Sequence, residues 1–381
     1  MIGYWGEVRK VEWEADDAQL VRVYLTFRKR EVTAFYFRYA GSRVKVGQTV
    51  LVNTSGVDLE LGTGGYGFIM AIEPEIGTLE HDIEKQDGTK RSILDEDSPY
   101  LGRIIKWRYT PQQTAVKTVE CEESVYHPLF CEPFHLNQRL VLLGELHSMF
   151  VIVAALLFHW CPKRRVAYIM DDQAALHLGI SHQIRQLKKK GDLVTITIGQ
   201  AIGGDLEAVN LYTALEAAVK VARADDIVIS QGPGVVGTST PRGFSGMQLA
   251  QWIHAVTTLQ GVPVVIPRLS WADRRPRHRG LSEHTRYPLA EHVLSRVQIP
   301  YPVEDESIDQ DQESLLQKQL FSLRSKHDLI PIPTSLFKEE LKQALAWYGD
   351  ITTMGRTYAE DPLFFEGVGA AFYYYRQHLK D

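Results

Sequence analysis

The first third of the chain alternates polar and apolar residues over short segments. Runs rich in Val, Tyr, Phe and Thr cover residues 7–13, 20–27, 32–37 and 49–53, and clusters of Gly and Asp separate them. In the run VRVYL at 21–25 every second side chain is aliphatic, which is typical of a strand with one face in water. Such strands close most simply into a barrel, because a barrel leaves no unpaired edge. We therefore predict a small all-β, barrel-like domain over residues 1–110.

A different pattern begins after residue 139, where short apolar runs alternate with longer segments of helical spacing. The predicted strands are residues 140–144, 165–170, 193–198, 226–230, 262–268 and 329–333. The predicted helices are residues 149–158, 174–189, 205–222, 245–259, 284–297, 336–347 and 362–379. Strands that are apolar on both faces and alternate with helices indicate a parallel sheet with right-handed crossovers. The pattern predicts a larger, mostly parallel, doubly wound α/β domain over residues 138–381.

Three polar segments fit neither pattern. Residues 111–137 contain scattered prolines without a clear period, and we interpret them as a connector between the two domains. Residues 81–97 and 304–313 are charged and poor in apolar side chains, so we predict surface loops at both places.

Overall charge and cysteine content narrow the class of protein. The 381 residues include 42 Lys and Arg against 47 Asp and Glu, which gives a formal net charge of −5. An acidic chain has no overall attraction for nucleic acid or anionic lipid, so an anion would have to bind a local basic cluster. The three cysteines form no CxxC pair, which favours reduced thiols. The beginning of the chain lacks a signal-peptide pattern, and the longest apolar run is too short to cross a bilayer, so we predict a soluble cytoplasmic protein.

Five of the six predicted strands end in a cluster of residues that suit ligand binding. The carboxyl ends of parallel strands share one edge of a sheet, and ligands bind at that edge where the strand order reverses. Loops are often polar, which explains one or two of these clusters but not all five. The predicted ligand-binding residues are Glu145, His147, Gly203, Gly204, Glu207, Gly232, Gly234, Gly237, Thr238, Arg268, Asp273, Arg275, Arg277, Arg279 and Ser282. We expect them to form one pocket for a small anion.

The loop GPGVVGT at 232–238 has the spacing of a GxGxxG dinucleotide motif. A polar segment separates it from the next helix, however, and the following strand ends in Arg268 rather than in an acid. Its N–H groups and hydroxyls favour a phosphate or carboxylate, and NADP(H) is the less favoured alternative. A second match, GTGGYG at 62–67, leads into a strand and is interpreted as a turn.

Acid–base and metal chemistry have fewer candidates. Four arginines and a histidine lie between Asp273 and Gly280; arginine forks suit phosphate, although such a run is also compatible with a solvated surface. Asp205 could instead have a structural role, as the N-cap of the helix predicted at 205–222. Carboxylates could also hold a divalent cation, but no metal-ligand spacing is present, so metal and cofactor stay unassigned. The catalytic candidates are Asp171, Asp172, Asp205, His278 and His284.

These motifs resemble those of an uncharacterised bacterial family, one of the families described only as domains of unknown function. The resemblance covers nearly the whole chain. It rests on VNT at 52–54, LGTGG at 61–65, GGDLEA at 203–208, GPGVVGT at 232–238, GFSG at 243–246 and RHRG at 277–280 with Ser282. Histidine is common in the family at the positions of Gln200 and Glu283, so this chain departs from the pattern there. The resemblance implies the two-part architecture and no activity.

Three functions are compatible with these observations. The leading one is an enzyme acting on a small anionic metabolite, phosphorylated or nucleotide-like, at the carboxyl ends of the parallel strands. The second is a non-catalytic sensor that binds the same kind of ligand. The third is RNA association of the β domain through Tyr36, Phe37, Arg38 and Tyr39, which the acidic total disfavours. The aromatic residues at 372–375 are compatible with packing or with a homodimer surface.

Overall fold

The computed structural model describes residues 3–15, 18–37, 43–58, 65–73, 102–108, 114–303, 309–349 and 351–379. The chain forms two compact units, Met1–Val116 and Lys117–Asp381. The surface loop predicted at 81–97 lies outside the described residues.

The first unit contains a closed five-stranded barrel. Its strands are β1 (Gly3–Glu14), β2 (Ala18–Leu25), β3 (Arg30–Phe37), β4 (Thr49–Asn53) and β5 (Gly67–Ile72), in the order β1-β2-β3-β5-β4. β3 and β5 run parallel, and the other neighbours run antiparallel. Alternate side chains such as Val8, Val21 and Val52 point inward and are fully buried. The barrel predicted from the alternating pattern is confirmed.

Two smaller elements accompany the barrel in this unit. A short helix, α1 (Ser55–Asp58), follows β4. Further along the chain, β6 (Ile104–Lys106) and β7 (Thr114–Val116) form an antiparallel pair. The turn interpretation of the glycine motif at 62–67 falls partly outside the described residues, which resume at Gly65 just before β5.

The second unit is built on an eight-stranded parallel sheet. Its strands are β8 (Leu140–Gly144), β9 (Arg165–Asp171), β10 (Asp192–Thr197), β11 (Leu206–Glu207), β12 (Asp226–Gln231), β13 (Val262–Ile266), β16 (Gln298–Val303) and β17 (Asp328–Pro333). Their spatial order is β11-β10-β9-β12-β8-β13-β16-β17. A separate two-stranded hairpin consists of β14 (Leu269–Ser270) and β15 (Gly280–Leu281).

Helices cover both faces of this sheet. One layer contains α2 (His147–Trp160), α3 (His182–Lys190), α8 (Lys338–Tyr348) and α9 (Pro362–Gln377). The opposite layer contains α4 (Leu211–Lys220), α5 (Gln248–Thr258), α6 (Glu283–Glu291) and α7 (Gln310–Phe321). The central strands are apolar on both faces because each face packs against a helix layer. The predicted doubly wound α/β fold is confirmed. In the described part of the chain, no helix combines the length and apolarity needed to cross a bilayer.

The strand β16 and the helix α7 were not predicted. β16 contains Pro300 and Pro302, and proline within a short run argues against a strand because it cannot donate to the ladder. The loop predicted at 304–313 is wrong for its second half, since α7 begins at Gln310 with Asp309 as its N-cap. Acidic residues in a first helical turn interact favourably with the helix dipole, and this explains why an acidic stretch starts a helix here. Residues 304–308 lie outside the described residues.

The helix predicted at 205–222 starts later than expected. It begins at Leu211, and the side chain of Asn210 accepts hydrogen bonds from the first backbone N–H groups, so Asp205 is not its cap. The preceding residues extend the sheet instead as β11, which pairs with β10. The helix predicted at 245–259 also starts later, because Ser245 opens a short 3₁₀ turn before α5.

Candidate functional site

The strand connections diverge between β8 and β13, and we refer to the carboxyl ends of these two strands as the crevice. The chain leaves β8 through α2, in one helix layer, and leaves β13 through α6, in the opposite layer. A divergence of this kind marks the point at which parallel α/β sheets bind ligands, at the carboxyl ends of two neighbouring strands. Glu145 follows β8 and Arg268 follows β13. The crevice therefore begins with an ion pair, in which Nη1 of Arg268 lies 2.8 Å from Oε1 of Glu145.

Glu145 is the centre of this cluster. Its Oε1 also lies 3.3 Å from Nδ1 of His284, and its Oε2 accepts a hydrogen bond from Oγ1 of Thr285. The residue is only 1% exposed. Burial by itself would raise the pKa of the carboxyl, but Arg268 and His284 outweigh burial and lower the pKa to about 2. Glu145 is therefore ionised at neutral pH and is placed to orient the imidazole of His284.

His284 lies in the first turn of α6 and is held on two sides. Phe244 stacks on its ring, with centroids 3.9 Å apart and planes 6° apart. At Gly237 an added Cβ would lie 3.3 Å from Cε1 of His284, so glycine allows this loop to approach the ring closely. Since Nδ1 faces Glu145, the other ring nitrogen, Nε2, is the one that a ligand would meet.

His278 lies edge-on to His284, with ring centroids 4.6 Å apart. Its Nε2 accepts a hydrogen bond from Nε of Arg277 at 3.2 Å, and its Nδ1 lies 2.8 Å from Oγ of Ser282. Burial, followed by electrostatic interactions with Arg268 and His284, lowers the pKa of His278 to about 3. His278 is thus neutral at pH 7, which agrees with its role as an acceptor for Arg277.

Arg277 links this cluster to Ser239, the residue directly after the glycine loop at 232–238. Its Nη1 donates to Oγ of Ser239 at 2.9 Å, and no carboxylate in the described part of the chain pairs with it. Ser239 has a positive φ of 63°, a sparsely populated conformation for a residue with a side chain. Arg275, in contrast, donates to both oxygens of Asp273, at 3.0 and 2.8 Å. Among the predicted arginines, Arg277 is therefore the one placed to bind an anion beside the histidines.

The remaining residues of this basic loop have structural contacts. Burial would raise the pKa of Asp273, but hydrogen bonds from Arg275 outweigh it and hold the pKa well below its usual value. Arg279 has an exposed side chain, and its carbonyl accepts a hydrogen bond from Gln319. Ser282 is buried and caps α6 by accepting from the N–H of His284.

Sequence reasoning missed two charged residues of this cluster, Arg356 and Asp361. Oδ2 of Asp361 accepts hydrogen bonds from Oγ of Ser270 at 2.8 Å and from Nε of Arg356 at 2.9 Å. Nη2 of Arg356 lies 3.8 Å from Oδ2 of Asp273. Both residues belong to the segment between α8 and α9, which follows no strand. A search of strand ends could not find them; the only signal was an acid directly before Pro362, at the start of a helix.

The glycine loop at 232–238 offers fewer donors than predicted. The hydroxyl of Thr238 bonds within the loop, to Thr240 and to the carbonyl of Gly243. Gly232 is buried, and Gly234 has a φ of 105°, so both shape the turn. The N–H of Gly237, which adjoins His284, has no acceptor in the described part of the chain. Among the N–H groups and hydroxyls predicted to bind an anion, the N–H of Gly237 is therefore the one that lies next to His284.

Asp171 and Asp172 line a separate pocket of about 400 Å³ at the ends of β9 and β10, next to α5. Asp171 accepts hydrogen bonds from Nε1 of Trp252 and from the N–H of Gln173, both at 2.9 Å. Burial raises its pKa to about 6. β12 lies between β9 and β8. At about 4.8 Å per strand, Asp171 is therefore on the order of 10 Å from Glu145, and the structure does not join the two sites.

The acids of the GGDLE motif at 203–207 hold a turn together. Oδ2 of Asp205 accepts from the N–H and the hydroxyl of Thr195, both at 2.8 Å. Glu207 accepts from the hydroxyl of Thr197 at 2.8 Å and from the N–H of Gly203 at 2.7 Å. Gly203 has a φ of 92°, and a Cβ at Gly204 would collide with backbone atoms. No group of three metal-ligating side chains occurs within the described residues.

His147 lies away from the crevice, at the start of α2. Its Nδ1 lies 3.1 Å from the hydroxyl of Tyr168, and its Nε2 lies 2.7 Å from Oγ of Ser181. Burial lowers its pKa to about 4. Both ring nitrogens therefore have protein partners, and the position is typical of a structural histidine.

The barrel shows little uncompensated positive charge on its described surface. Arg22 pairs with Glu12, and Arg43 pairs with Glu14. Arg38 and Tyr39, which belong to the predicted RNA surface, lie outside the described residues. The structure therefore adds no support for nucleic-acid binding.

Comparison with known proteins places the chain in a family. Residues 33–372 match the family described as "Protein of unknown function (DUF3866)". The chain belongs to the DUF3866 family. The match includes parts of both compact units, and it confirms the resemblance to an uncharacterised family. No curated protein matches the chain. The description of DUF3866 assigns no activity, so function has to be argued from the crevice itself.

Proposed function

We propose that the protein is an enzyme acting on a small anionic metabolite in the crevice between β8 and β13. One observation carries this proposal: Arg277, which pairs with no described carboxylate, is linked through His278 to the pair formed by His284 and Glu145. A cation suited to a ligand anion thus lies beside a histidine with an orienting carboxylate. That combination is typical of general acid–base catalysis.

The charges of the cluster favour an anionic ligand. Four arginines stand against three carboxylates, which leaves one positive charge in excess. The charged residues are Arg268, Arg275, Arg277, Arg356, Glu145, Asp273 and Asp361. A phosphate or carboxylate could accept two hydrogen bonds from the guanidinium of Arg277, in place of the bond that Arg277 now donates to Ser239. The N–H of Gly237 would donate a further hydrogen bond to the same anion.

In the proposed enzyme, each residue of the cluster has a role in proton transfer. Nε2 of His284 would accept a proton from the substrate or from a water molecule. The carboxylate of Glu145 would stabilise the imidazolium that results, because it lies 3.3 Å from Nδ1. His278 touches the ring of His284 and receives the hydrogen bond from Arg277, so it acts as a positioning residue.

Binding and turnover test the proposal separately. Inorganic phosphate is titrated by calorimetry into the wild type, Arg277→Ala and the control Lys342→Ala, whose side chain is exposed on α8. We expect R277A to weaken phosphate binding about tenfold or more, which corresponds to ~1.4 kcal/mol, and K342A to leave it unchanged. Equal affinity in R277A and the wild type would contradict the assignment of the anion site.

Turnover is then measured by mass spectrometry on a panel of phosphorylated and carboxylated metabolites. His284→Asn should retain binding and lose roughly 10²-fold or more in rate, as expected for removal of an acid–base group. If metabolites bind but are recovered unchanged from the wild type, the protein is a sensor rather than an enzyme. If H284N turns over substrate at the wild-type rate, the assigned base is wrong.

A further inference from the structure

A second pocket lies at the opposite end of the sheet, beside the edge strand β17. It has a volume of about 500 Å³ and lies between α7 and the strands β16 and β17. The pocket forms because β17 is the last strand of the sheet, so its face is only partly covered by α7. Its volume falls in the range of small-molecule pockets, roughly 300–1,000 Å³. It shares no residue with the crevice between β8 and β13.

One wall of this pocket consists of hydrogen-bond donors. Tyr301 is only 8% exposed, yet its hydroxyl has no hydrogen-bond partner among the described residues. Burial raises the pKa of Tyr301, so the phenol keeps its proton at neutral pH. Lys318 and Arg324 also line the pocket, and neither forms an ion pair with a described carboxylate. Since the hydroxyl of Tyr301 is not fully enclosed, it faces the pocket, where it can donate a hydrogen bond to a ligand.

The other wall of the pocket is apolar. Phe321, Leu329 and Pro331 contribute it, and the side chain of Phe321 is 69% exposed. None of the described residues that line the pocket is acidic. A neighbouring polypeptide strand is an unfavourable occupant, since Pro331 and Pro333 remove two backbone donors from the edge strand. The lining therefore suits a small molecule with one negative charge and an apolar body.

We propose that this pocket binds an aromatic monocarboxylate. The carboxylate would accept hydrogen bonds from the hydroxyl of Tyr301 and from the side chains of Lys318 and Arg324. The ring would lie against Phe321 and Pro331. Charge-assisted bonds from arginine and lysine are stronger than neutral ones, so the negative charge should dominate the affinity.

The test uses 3-phenylpropionate as the probe and 3-phenylpropanol as its neutral control, by calorimetry and saturation-transfer NMR. We expect 3-phenylpropionate to bind about tenfold more tightly than the alcohol. Tyr301→Phe and Arg324→Gln should each weaken binding about fivefold, because each removes donors and Y301F keeps the ring that packs in the core. Lys342→Gln, on an exposed face of α8, should have no effect.

Three outcomes would overturn the proposal. If 3-phenylpropanol bound as tightly as 3-phenylpropionate, the pocket would not recognise the carboxylate. Unchanged affinity in both Y301F and R324Q would show that the donor wall does not bind the carboxylate. Loss of binding in R277A would place the probe in the crevice instead. Because R277A leaves this pocket intact, failure here is distinguishable from failure of the proposed function.

Discussion

Replacing Glu145 with glutamine tests whether the buried ion pair stabilises the crevice. The substitution removes the negative charge and keeps the shape of the side chain. Arg268, which is 4% exposed, would then keep only Asp273, whose Oδ2 lies 3.8 Å from its Nη2. Removing one partner of a buried ion pair leaves an uncompensated charge and costs about 3–5 kcal/mol. We expect E145Q to lose stability of this order.

The pKa of Glu145 gives an independent figure. The pKa falls from 4.5 to about 2 on folding, because Arg268 and His284 outweigh the opposing effect of burial. At about 1.4 kcal/mol for each pH unit, the folded protein gains ~3 kcal/mol from the ionised carboxyl. Since the folded pKa lies below the unfolded one, this stabilisation is complete above pH 4.5. It is lost as the pH falls toward 2.

Urea unfolding, followed by tryptophan fluorescence at pH 7 and pH 3, measures both effects. E145Q should be less stable than the wild type by about 3 kcal/mol at pH 7, and this difference should fall by about half at pH 3. The control is Glu283→Gln, which removes a partly exposed pair with Arg286 and should cost less than about 1 kcal/mol. The reasoning is refuted if E145Q loses no more stability than E283Q, or if the difference does not shrink in acid.

Two further predictions concern the pocket at the end of β9. A ¹³C NMR titration of the carboxyl of Asp171 should have its midpoint near pH 6, because burial raises the pKa. Asp171 therefore lowers stability as the pH rises from about 4 to 6, and Asp171→Asn should remove this slope; a midpoint near 4 would contradict the burial argument. Gly199→Ala should cost about 1–3 kcal/mol in thermal unfolding, because φ is 56° and a Cβ would lie 1.8 Å from Oδ2 of Asp172. The control, Gly355→Ala, has a φ of 77° with nothing within 4 Å, and an equal loss there would show that backbone strain alone is responsible.

The parallel sheet was predictable because its strands are unusually clear in the sequence. β8 matches its predicted range, 140–144, since it is apolar on both faces and bounded by polar residues. The strand order was not predictable. The contact between Glu145 and Arg268 joins residues 123 positions apart, and it depends on β13 lying directly beside β8. Local patterns describe each strand but not its neighbour.

The structure brings some of the residues predicted from strand ends into one cluster and engages others in contacts that hold the fold together. Glu145, His278 and His284 lie in one cluster, as a shared sheet edge implies. Asp205 and Glu207 were predicted in the same way, as acidic residues that follow a strand. Their oxygens, however, already accept hydrogen bonds within the turn. The sequence shows that a carboxylate follows a strand, but it does not show whether that carboxylate already accepts hydrogen bonds that stabilise the fold.

A crystal structure of the protein soaked in phosphate tests the assignment of the crevice most directly. We expect one tetrahedral density between the guanidinium of Arg277 and the N–H of Gly237, within hydrogen-bond distance of Nε2 of His284. The bond between Arg277 and Ser239 should be broken in that structure. Phosphate bound only at other surface positions, with the Arg277–Ser239 bond intact, would contradict the proposed site.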